Sequence, residues 1–128
     1  MANTVAGPRH VRIACGNATT AQVNSGLTIV PDVAGRQIVV VGGWLRALGG
    51  NASGATSVDI ADTATSPVTA AAIGVGSLTA GAVVQLTAGT ATNMGVGLTA
   101  GKGLQITKTG GNLATATSVD YCVQYIYV

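Results

Sequence analysis

A chain of 128 residues is sized for one domain, able to bury roughly two thirds of the surface its unfolded form exposes. Only 8% of the residues are charged, none is Glu, and the hydrophobic share of 48% includes just 3% aromatics, so Ala, Gly, Thr and Val dominate. The net charge of +2 is scattered over Arg9, Arg12, Arg36, Arg46, Lys102 and Lys108, which argues against a nucleic-acid-binding face, and no apolar run is long enough to span a membrane.

Scarce strong helix formers, abundant β-branched residues and 19 glycines spread along the chain predict many short strands joined by tight turns. Residues 1–12 read as a polar N-terminal arm, and 13–128 as a single β-sandwich domain. The arm has no apolar h-region, so the chain is expected to be made in a cytoplasm, where Cys15 and Cys122 would be reduced. Buried free thiols are the expected state, although the two would become neighbours if the first and last strands paired.

In chain order, strands are predicted near Val11–Cys15, Ala21–Val23, Leu27–Val30 and Ile38–Leu48, then Ala55–Ile60, Val68–Ile73 and Val83–Thr87. Met94–Leu98, Leu104–Thr107, Ala114–Thr117 and Val119–Val128 complete the set. In the longest, alternation places Ile38, Val40, Trp44 and Leu48 on one face and Val39, Val41, Leu45 and Ala47 on the other. Both faces are apolar, so two covers are expected: the opposite sheet and a neighbouring subunit. Gly42-Gly43 in mid-run predicts a bulge. Leu-Thr-Ala-Gly occurs at 78–81, 86–89 and 98–101, which reads as a strand-plus-turn rhythm. In the closing segment Val119, Tyr121, Val123, Tyr125 and Tyr127 share one side.

No motif rises to an active site. Gly97 to Gly103 has three residues, not four, between its first glycine and Gly101-Lys102, and no Ser or Thr after the lysine, so it is a turn rather than a phosphate loop. Gly74-Val75-Gly76 lacks the third glycine of a dinucleotide fingerprint. His10, the single histidine, lies among basic residues without a nucleophile or orienting carboxylate. Cys122 sits mid-strand among apolar neighbours, where burial disfavours the thiolate. Asp59 and Asp62 form the closest acidic pair but lack the further oxygen ligands of a calcium loop. Neither enzyme activity nor a cofactor or metal is expected.

Low charge on a domain of this size points instead to a surface buried in a larger assembly. Arg9, His10 and Arg12 are the candidate contacts of the arm. Val39, Val41, Leu45, Tyr125 and Tyr127 are the candidate interface between subunits.

The order of the pieces resembles a group of small phage virion domains of jelly-roll-like sandwich type. The resemblance runs through Asn17-Ala18-Thr19-Thr20-Ala21, the strand Gly35 to Val41, the acidic turn Val58-Asp59-Ile60-Ala61-Asp62, the strand Thr99 to Ile106 and the closing segment Val123 to Val128. It covers nearly the whole chain from Val11, and Trp44 with the double glycine departs from it. It implies a jelly-roll-like antiparallel β-sandwich, a homotrimer, and a capsid decoration (cement) protein on the virion surface, with the major capsid protein as partner. A receptor- or glycan-binding tip of a tail fibre or baseplate is the alternative it leaves open. In that case the aromatic platform would come from Trp44, Tyr121, Tyr125 or Tyr127.

Overall fold

Among the described residues, runs rich in Val, Ile and Thr, each ended by a glycine or polar turn, become eight β-strands. A computed structural model describes residues 10–128. The strands are β1 (Arg12–Thr19), β2 (Leu27–Val30), β3 (Ile38–Leu48), β4 (Ser53–Asp62), β5 (Thr69–Gly74), β6 (Val83–Gln85), β7 (Leu104–Ala114) and β8 (Ser118–Tyr127). One short helix, α1 (Thr20–Ser25), follows β1. The strands form two antiparallel four-stranded sheets, in the orders β1-β8-β3-β6 and β2-β7-β4-β5. First therefore pairs with last, second with seventh, third with sixth and fourth with fifth. This nested order is that of the jelly roll.

The core lies between the sheets. From the first come Ile38, Val40, Leu45, Ala47, Val119 and Val123; from the second, Val58, Ile60, Ile73, Leu104 and Ile106, all essentially inaccessible to solvent. The bulge expected at Gly42-Gly43 appears as a register shift between Val40 and Gly42 against β8. It reverses the alternation. Ile38 and Val40 share the inner face with Leu45 and Ala47, while Trp44 moves outward with Arg46 and Leu48. Gly43 is required there: its φ is +139°, and a methyl would meet the Cys122 carbonyl oxygen and Leu86.

Three expected strands are something else. Residues 21–23 belong to α1, because Thr19 and Gln22 form a reciprocal capping box: the Thr19 side chain accepts from the Gln22 N–H, and the Gln22 side chain accepts from the Thr19 N–H. Residues 94–98 form a looped segment laid along β3, with the Gly95 and Leu98 N–H groups donating to the carbonyls of Val40 and Ile38. Residues 115–117 are the turn from β7 to β8, in which Thr115 takes a positive φ of 68°. Asn17 to Thr19 complete β1.

The Leu-Thr-Ala-Gly repeats serve loops rather than strands. Leu78, Leu86 and Leu98 are each buried to 3% exposure or less, plugging irregular segments into the core. Each then leads into a turn or a single 3-10 turn.

Cys15 and Cys122 lie directly opposite each other on β1 and β8, with Cα atoms 4.0 Å apart, and are joined as a disulfide. The expectation of buried free thiols is thus corrected. Both residues fall on the outer face of the first sheet, Cys15 exposed and Cys122 half-buried, because the pairing of first and last strands brings them together.

Candidate functional site

One end of the sandwich gathers the start of β1, the end of β8 and the loops 31–37, 63–68 and 98–103. Asp62, at the end of β4, ties the last two of these loops together. It is fully buried, and its carboxylate accepts from the N–H groups of Ala64 (3.2 Å), Val68 (3.0 Å) and Thr99 (3.0 Å). Burial works to raise its pKa, but the hydrogen bonds from Thr99, Val68 and Ala64 outweigh it and hold the carboxyl below its ordinary range. Asp32 performs a lesser version of this task. It accepts from the Thr63 hydroxyl and from the Gly103 N–H (2.7 Å), with Lys102 3.7 Å away, and these contacts lower its pKa too. The acidic turn expected over Val58–Asp62 is corrected: these residues lie in β4, and Asp62 at its end braces two loops from inside.

Two arginines meet on one tyrosine at this end. The Arg12 guanidinium lies 5.2 Å from the Tyr127 ring centre and that of Arg36 lies 5.4 Å from it, each in cation–π range. Arg12 stands opposite Tyr125 in the β1–β8 ladder, and Arg36 is held by the turn in which its N–H donates to the Val33 carbonyl. Tyr125 packs edge-on against Tyr127, with ring centres 5.7 Å apart. Burial and then Tyr127 push the Tyr125 phenol above its ordinary pKa, against the pull of Arg12. Among the described residues, ion pairs join Arg46 to Asp120 and Lys102 to Asp32, and neither Arg12 nor Arg36 has a carboxylate partner. Exposed Val11, Val33 and Val128 adjoin them in sequence or through backbone pairing.

The residues proposed from sequence are partly dispersed. Arg9 lies outside the described residues, His10 is exposed, and Arg12 belongs to β1 rather than to an arm. Leu45 and Tyr125, expected at a subunit interface, are instead buried in this chain's own core, since the bulge turns Leu45 inward. Val39 is buried beneath the segment around Gly97, whereas Val41 at the bulge stays exposed and Tyr127 half-exposed. Arg36 was not singled out by sequence. Its signal was Gly35 just before it and the strand beginning at Ile38 just after it, which place a long cation beside the strand's first residues.

The outer face of the first sheet carries a second ordered group. Asn17, Asp120 and Arg46 stand in one cross-strand row: the Asn17 amide donates to Asp120 at 2.8 Å and the Arg46 guanidinium donates to it at 2.6 Å. The hydrogen bonds from Asn17 and Arg46 lower the Asp120 pKa, partly offset by burial. Trp44 stands in the next row beside the disulfide, with the Arg46 guanidinium 5.8 Å from its ring. Tyr121, Tyr125 and Tyr127 do not join it, because they lie on the opposite side of β8, packed against the core.

No family model, curated protein or solved structure matches the chain. Among the described residues no three of His, Cys, Asp and Glu cluster as metal ligands, and no helix is long and apolar enough to cross a membrane.

Asp32, Asp62 and Asp120 are all shifted downward, which fixes the sign of the pH response. A depressed folded-state pKa adds stability above the unfolded value of about 3.9, and that contribution is lost as pH falls through the folded values. Urea midpoints should therefore hold steady from neutral pH to about pH 5 and drop below about pH 4. A midpoint that stays level or rises on acidification would contradict these hydrogen-bond assignments.

Proposed function

We propose that this chain is a non-enzymatic phage virion structural protein, a capsid decoration protein that binds the mature head as a homotrimer and stabilises it. The observation that carries the reading is the nested jelly-roll strand order, an architecture shared by viral capsid domains. The low charge of the chain and the exposed Val11, Ile13, Val41 and Val83 support it, since such surfaces fit burial against neighbours. Binding only the assembled shell would stabilise that shell by mass action. The disulfide supports residence on a particle surface outside the reducing cytoplasm in which the chain is made.

A second reading rests on Trp44. Lectin domains share the jelly-roll architecture, and an outward Trp beside Arg46, Asp120 and Asn17 offers an aromatic face with polar groups at its rim. That would make the chain a receptor- or glycan-binding tip of a tail fibre or baseplate. One aromatic ring, already engaged by Arg46, is a small platform, so decoration is preferred.

Co-sedimentation of the purified protein with mature heads stripped of accessory proteins, together with its native mass, tests the reading. A trimer that saturates the heads at a fixed ratio per capsomer is the expected result. A folded protein that ignores heads but binds host cells, and loses that binding with Trp44→Ala, would replace it with the second.

A further inference from the structure

We infer that the Arg12–Arg36–Tyr127 end of the sandwich is the docking surface for an acidic, partly apolar segment of a partner protein, whose carboxylates bind the two guanidiniums. Both cations lack a carboxylate among the described residues, whereas Arg46 and Lys102 are paired with Asp120 and Asp32. Cation–π contact with Tyr127 holds the two guanidiniums 5.2 and 5.4 Å from one ring, and a guanidinium fork is the group matched to bidentate carboxylate recognition. Arg and Tyr are the side chains enriched at the energetic centres of protein interfaces. Exposed Val11, Val33 and Val128 supply an apolar rim beside them. The loops beneath are held by Asp62 and Asp32, so little ordering remains for binding to impose.

Other partner chemistries fit less well. Two cations are too few to follow a nucleic-acid backbone, whose binders engage several phosphates. A sugar would need a free aromatic face, and the Tyr127 ring is taken by the arginines. The surface deepens the head-binding reading, on which the identity of the partner as a shell protein rests; acidity of the partner rests on the geometry alone.

The test uses the full chain and two capped tetrapeptides, one alternating aspartate and valine, the other asparagine and valine, at matched ionic strength. Side-chain NMR of the arginine Nε–H groups is followed during titration. The expected result is a saturable shift of Arg12 and Arg36, and not of Arg46, with the acidic peptide alone. Arg12→Gln together with Arg36→Gln should weaken that binding by about tenfold or more, the scale of one lost charged hydrogen-bond pair. Single Arg→Lys variants, which keep the charge but not the fork, serve should the double variant fold poorly, and they too should bind more weakly. Equal shifts with both peptides, or no saturation by the acidic one, would overturn the inference. Heads that bind wild type and the double Gln variant equally would also overturn it while leaving the decoration reading intact. Peptide binding without head binding would do the reverse.

Discussion

Replacing Asp62 by Ala should lower the unfolding free energy by about 3 kcal/mol, since three part-buried N–H groups would each lose their acceptor at the lower end of about 1–3 kcal/mol apiece. Against the 5–15 kcal/mol typical of a domain, that is a large share of the stability. The damage should be local before it is global. Residues 63–68 and the turn at Thr99 share this one carboxylate, so hydrogen exchange should accelerate there first. Asp62→Asn retains one acceptor oxygen but places an NH₂ against donors, and should recover only part of the loss. Chemical denaturation of the three proteins measures it. A loss under about 1 kcal/mol for the Ala variant would mean that water replaces the carboxylate and that the site is less closed than its burial indicates.

The second large effect concerns the Cys15–Cys122 crosslink. It closes a loop of 107 residues, and loop-closure entropy alone assigns such a bridge between about 4 and 5 kcal/mol, with measured values more often about 2–4. Reduction, or Cys15→Ser with Cys122→Ser, should lower the unfolding free energy by about 2–4 kcal/mol. Because β1 is an edge strand among the described residues, its amides should lose protection in the reduced protein while β3 and β4 keep theirs. An unchanged denaturation midpoint on reduction would show that the β1–β8 ladder alone holds the edge. The consequence reaches the docking surface, since Arg12 lies on β1 three residues before Cys15 and its place beside Tyr127 depends on that strand staying paired.

The sandwich was legible because its two longest strands announced themselves: Ile38–Leu48 appears with the bounds expected, and the closing strand differs by a residue at each end. Composition carried the fold class, and the double glycine carried the bulge. What alternation could not carry was the effect of that bulge, since one extra residue transfers every later side chain to the other face. Leu45 and Trp44 exchanged roles for that reason. The capping box at Thr19 and Gln22 was available in sequence but was outweighed by β-favouring neighbours. The site was less legible still. Arg12 and Arg36 are 24 positions apart and meet only because the nested topology brings the start of β1 and the loop before β3 to the end of β8. Asp62 looked like a turn residue because a lone acidic side chain gives no sign of the three N–H groups that later surround it.

The nested order also governs when the molecule can form. In each sheet a late strand is inserted between early ones: β8 separates β1 from β3, and β7 separates β2 from β4. Among the described strands only β4 and β5 are neighbours both in sequence and in space, so their hairpin is the first pairing a growing chain can complete, and β3 can then pair with β6. β1 and β2, whose partners are β8 and β7, must wait, with apolar faces uncovered, until those strands have left the ribosome. Contacts of such long sequence separation place folding in the millisecond-to-second range typical of all-β domains. Synthesis and folding are thereby separated in time, and the unfinished chain passes through an interval in which its strand edges are open to any neighbour made alongside it.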